Sequence, residues 1–85
     1  MPPTLRIDWF RVLADLQEAG FPNDETAHQI DAPVRTLRDW KYGAEPRHAD
    51  GERLIGFWVL ATGKDRESLP RAPYIKLSRI NAPGK

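Results

Sequence analysis

Arg35, Arg38 and Lys41 follow one another at three-residue spacing in the stretch from Val34 to Tyr42. On a helix, Arg35 and Arg38 then share a face. A guanidinium is a planar fork of donors, and it fits two acceptors at once on a phosphate or on the O6/N7 edge of guanine. Asp39 offers the reverse chemistry. It suits an amine donor such as cytosine, or orients an arginine, or is an ordinary exposed helix charge. Val34 offers an apolar contact of the kind a thymine methyl accepts. Thr36, near the helix start, suits a phosphate or a cap. Lys41, Arg47, His48 and Arg53 flank the stretch and suit backbone phosphates or a plain solvated surface. Tyr42 is the one aromatic in a position to meet a base.

Other chemistries find no support. There is no cysteine, so thiolate sites and disulfides are excluded. His28 and His48 are too few, and too far from other ligands, for a metal site. No Ser/His/Asp or Cys/His set has a local signature, and no glycine-rich phosphate loop exists. Asp24 and Glu25 read as helix-start charge, not as an acid/base pair. The expectation is a non-enzyme without cofactors.

The cations need elements to hold them. Leu5, Trp9, Val12, Leu13 and Leu16 give a helical period from Leu5 to Ala19, with Thr4 or Asp8 as cap and Gly20 as a left-handed stop. Asn23 is the expected N-cap of a second helix that runs to about Ile30, with Asp24 and Glu25 in its first turn. A break at Asp31-Ala32-Pro33 follows. Asp31 is expected to take the left-handed backbone, and Pro33 is expected at the first position of a third helix that ends near Lys41 before Gly43.

Between those two helices the apolar set is Ala27, Ile30, Leu37 and Trp40. A small residue, an apolar one, a turn, then Leu and Trp three apart resembles the helix-turn-helix of the lambda-repressor and Cro type. The similarity is greatest to small phage-encoded regulators with a Trp closing the recognition helix. It is best over Thr26 to Gly43 and looser over residues 5 to 63. Asp31 departs from the usual turn glycine, and Val34 stands where such proteins usually place a polar base reader. The resemblance implies an all-α bundle of four to five helices, with an extended or flexible basic tail. It implies sequence-specific binding to double-stranded DNA by a small repressor-like regulator. The recognition helix would present Pro33, Val34, Arg35, Arg38, Asp39 and Tyr42 to the major groove, with Thr36, Lys41 and Arg47 beside it. A packaging or recombination accessory of small-terminase or excisionase type would use the same helix. A protein-interaction module inhibiting a host protein is the alternative from another class.

A fourth helix is expected from Ala49 or Asp50 to Gly63, apolar almost all round. Leu54, Phe57, Trp58 and Ala61 form one stripe, and Ile55 and Val59 a second. A helix apolar all round is buried all round. The second stripe therefore faces either a homodimer partner or the chain's own C-terminal segment. Trp9, Trp40, Phe57 and Trp58 read as core. Lys64 to Glu67 is a charged connector with room for one helical turn. The domain reads as residues 1 to 70, and residues 71 to 85 as a tail. Those fifteen residues include four basic ones and no acid. Residues 74 to 80 alternate loosely, as a strand on a sheet edge or partner does, and a basic arm is the equal alternative.

The whole chain has 85 residues and a net charge of +1. Residues 1 to 32 carry two basic and six acidic side chains, and residues 33 to 85 eleven basic and six acidic. An acidic first part joined to a basic second part suits a protein that meets a polyanion with one face. The absence of a secretory segment or a spanning run makes a soluble intracellular protein the expectation, and the resemblance to phage regulators implies the bacterial cytoplasm, at the nucleoid and away from membranes.

Overall fold

The structure, a computed structural model, describes residues 5 to 73. It is mostly helical. Strand β1 (Leu5–Ile7) leads into α1 (Trp9–Glu18), α2 (Asn23–Ile30), α3 (Val34–Lys41) and α4 (His48–Thr62), then a 3-10 turn (Arg66–Ser68) and strand β2 (Arg71–Pro73). No helix among the described residues is long and apolar enough to cross a membrane.

The first helix starts later than its apolar period suggests. Asp8 accepts from the Arg11 amide at 3.1 Å and caps α1. Upstream, the backbone goes to a sheet instead. β1 and β2 pair antiparallel, with Leu5 opposite Pro73 and Ile7 opposite Arg71. The Asp8 amide extends the ladder by donating to the Pro70 carbonyl at 2.9 Å. Leu5 therefore lies outside the helix and is 58% exposed. The pairing also carries the fold past residue 70, through a proline-rich segment that cannot be helical but tolerates an edge strand. Residues 74 to 80, the possible partner strand, lie outside the described residues.

Helix ends follow one local rule. The Ala32 amide donates to the Ala27 carbonyl and the Asp31 amide to the His28 carbonyl, which closes α2 in a Schellman motif. The left-handed residue that this motif requires is Asp31, at φ 59°. Gly20 and Gly43 fill the same role after α1 and α3. Helix starts shift by one residue from expectation. Pro22 and Pro33 are the caps, both at φ −65° with extended ψ. Asn23 and Val34 are the first helical residues. Proline's fixed φ serves either position, and the Asn23 side chain makes no capping bond.

The core is one cluster. Trp9, Val12, Leu13 and Leu16 of α1 meet Ala27 and Ile30 of α2, Leu37 and Trp40 of α3, Leu54, Ile55 and Trp58 of α4, and Leu69. Buried polar atoms are paired: Trp58 Nε1 donates to Asp15 at 3.2 Å, Trp9 Nε1 to Glu45 at 3.1 Å, and the buried Thr26 hydroxyl to the Phe21 carbonyl at 3.2 Å. Gly51 of α4 lies against Trp9. A Cβ there would stand 3.4 Å from the indole Cη2, in van der Waals contact with the ring.

The second stripe of α4 is covered by the chain itself at Ile55. Ile55 is only 3% exposed and shares the core cluster with Leu69, while Val59 is half-buried. Arg66 grips Glu52 with two hydrogen bonds, at 2.9 and 2.6 Å, and so ties the 3-10 turn to α4. These bonds hold the Glu52 carboxyl below the usual glutamate range, aided by the charges of Arg66 and His48. A seam through Ile55 is thus closed. What α4 leaves outside is Leu60, 83% exposed, beside Val59. Phe57, placed in the first stripe, is half-buried and meets Phe21 edge-on at 5.0 Å.

Candidate nucleic-acid interface

α3 is attached to the core by two side chains, Leu37 and Trp40. Both point inward, so helical geometry turns Arg35, Arg38, Asp39 and Tyr42 the opposite way. All four are exposed, Tyr42 to 72%. Val34, at 40%, stands at the first turn. The two flanks of this outward stripe differ. On one, Lys41 lies half-buried with its ammonium 5.7 Å from the ring centroid of Phe10 on α1. On the other, half-buried Thr36 faces a shallow cleft of about 330 Å³ shared with Pro33, Trp40 and Arg47, the exposed N-cap residue of α4.

The cations divide into two groups by their partners. Arg6 pairs with Glu45, Arg11 with Asp15 at 3.7 Å, Arg53 with Asp50, and Arg66 with Glu52. Among the described residues, Arg35, Arg38, Arg47, Lys64 and Arg71 have no carboxylate partner, and Lys41 has only the Phe10 ring; four of these six cations lie on or beside α3. Each unpaired side chain stays hydrated and ready for an anion. Although Asp31, Glu45 and Asp50 also line the cleft, Glu45 and Asp50 are occupied by Arg6 and Arg53.

The structure thus brings together all eight side chains singled out from the sequence: Val34, Arg35, Thr36, Arg38, Asp39, Lys41, Tyr42 and Arg47. Arg53 is different. Its Nε donates to the Ile30 carbonyl at 3.0 Å, while the same guanidinium holds Asp50. It caps the C-terminus of α2 next to the Asp31 turn, so it ties α4 to that turn and does not flank the surface as a free cation. His28 and His48 are both exposed. Among the described residues, no group of three or more His, Asp or Glu is placed to hold a metal ion.

One residue of this surface escapes a sequence reading. Phe10 follows the buried Trp9 and has no place in the Trp9–Val12–Leu13–Leu16 stripe, yet it is 52% exposed beside α3. Its absence from the apolar period is the only signal in the chain, and the contact with Lys41 exists only once α1 and α3 pack. No protein-family model, curated protein or solved structure matches the chain.

Proposed function

We propose that this chain binds double-stranded DNA sequence-specifically, as a small helix-turn-helix regulator of the phage repressor type, with α3 as the recognition helix in the major groove. The observation that carries this reading is the division of the cations. Four arginines elsewhere are held by carboxylates, whereas four of the six described cations without one, Arg35, Arg38, Lys41 and Arg47, surround one exposed helix face. Arg35 and Arg38 read bases, and a bidentate contact to guanine is worth roughly 1–3 kcal/mol of discrimination. Arg47 and Lys41 hold phosphates. Regulation then comes from occupying or presenting a promoter, with no catalytic step.

One such module reads few base pairs, so a homodimer on a palindromic site is the arrangement proposed. With Ile55 buried, its α4 contact would use Val59 and Leu60. The deciding experiment is a random-site selection with the purified protein, repeated with Arg35→Ala and Arg38→Ala. The reading expects an enriched motif that loses its preference at defined positions in each variant. A selection with no enriched site would refute it and would favour a protein-interaction module.

A further inference from the structure

Phe10 has no structural task that its neighbours do not already perform. The core stripe of α1 is complete without it, and half of the ring lies in water. What it does touch is Lys41, whose ammonium sits over the ring face. The attraction is between the cation and the negative face of the aromatic quadrupole. It fixes a side chain that would otherwise sample many rotamers, and it does so without neutralising the charge. A carboxylate at the same place would have fixed and cancelled it, as Glu52 does for Arg66.

The position of this pair matters as much as its chemistry. Lys41 stands on the α1 flank of the outward stripe of α3, and Arg47 stands across the cleft on the other flank. A helix lying in a major groove has a phosphate strand on each side of it. From these contacts we infer that Phe10 belongs to the DNA-contacting surface as a positioning residue: it holds the Lys41 ammonium toward the phosphates of one strand, while Arg47 meets those of the other. This rests on the DNA-binding reading above and extends the contact surface from α3 onto α1. The two clamps differ in kind, since Lys41 is pre-set by a ring and Arg47 is free to move.

Affinity for a fluorescent mixed-sequence duplex, measured across a range of salt, tests the inference. Such a probe reads the phosphate contacts without needing the specific site. Lys41→Ala should lower the slope of log K against log salt by about 0.9, the value for one lost phosphate contact. Phe10→Leu keeps an apolar side chain but removes the ring face. It should weaken binding by about two- to fivefold, the range of an exposed cation–π contact. In the Lys41→Ala background Phe10→Leu should cost nothing, whereas with Lys41 present Phe10→Trp, which keeps a ring face, should retain native affinity. In the free protein, the ring-current shift of the Lys41 ε-methylene protons should vanish in Phe10→Leu while the helical circular dichroism stays unchanged.

Equal losses from Phe10→Leu with and without Lys41 overturn the inference, as does an unchanged salt slope in Lys41→Ala. If either occurs while Arg35→Ala and Arg38→Ala still erase base preference, the DNA-binding reading stands and only the role of Phe10 fails. If the native protein binds no duplex at low salt, both fall together.

Discussion

α3 and α4 use the same residue types to opposite ends. α4 puts Leu54, Ile55 and Trp58 into the core and ties its arginine neighbours to carboxylates, Arg53 to Asp50 and Arg66 to Glu52. α3 anchors itself with Leu37 and Trp40 alone and leaves Arg35 and Arg38 unpaired. Exposed ion pairs contribute little to stability, so pairing on α4 is better understood as arrangement than as strength. The difference teaches where to look for function in a small domain: at the charges that the fold does not occupy.

The comparison breaks most visibly at Trp58, which is fully buried and hydrogen-bonded to Asp15. Trp58→Ala should destabilise the protein by about 3–5 kcal/mol, read as a lower urea midpoint. Arg35→Ala with Arg38→Ala should do the converse. Stability should move by no more than about 0.5 kcal/mol, while base preference is lost in the selection. A large stability loss in that double variant would mean that α3 is a structural helix like α4.

Arg53 lies between these extremes. Arg53→Ala removes a donor from the Ile30 carbonyl and should cost about 1 kcal/mol of stability. It should also weaken duplex binding without lowering the salt slope, because the guanidinium braces the turn and does not meet phosphate. The turn itself stores a small cost. Asp31→Gly relieves a left-handed side-chain residue and should raise stability by up to about 1 kcal/mol, seen as a higher melting temperature.

The smallest expected effect is a pH dependence at Glu52. Its carboxyl is lowered in the folded chain, first by the Arg66 hydrogen bonds. Its stabilising contribution is therefore present above the ordinary glutamate pKa and lost as pH falls through the lowered folded value. The half-exposed position of the pair keeps it small. Acid titration of Glu52→Gln against the native protein should show the native advantage disappear only below the ordinary glutamate range.

Local chemistry made most of this molecule legible. Asp31, Gly20 and Gly43 take the left-handed stops that their residue types favour, and the 3.6-residue period of Trp9, Val12, Leu13 and Leu16 places them in the core. The cation stripe was equally readable, since helical spacing alone puts Arg35 and Arg38 opposite Leu37 and Trp40. The start of α1 was misread because Leu5 fits a helical period. Its strand exists only because Arg71–Pro73, more than sixty residues away, supplies the other half of the ladder.

By itself, then, the sequence determined the helices, their stops and which face of α3 is charged, because those depend on neighbours within one or two turns. Tertiary structure alone decided which charges stay unpaired. It sent Arg53 to the Ile30 carbonyl, buried Ile55 in the cluster that includes Leu69, and set Phe10 under Lys41. Those outcomes depend on partners 23 to 31 residues apart in the chain or on the packing of separate helices, and no period or propensity encodes such a meeting.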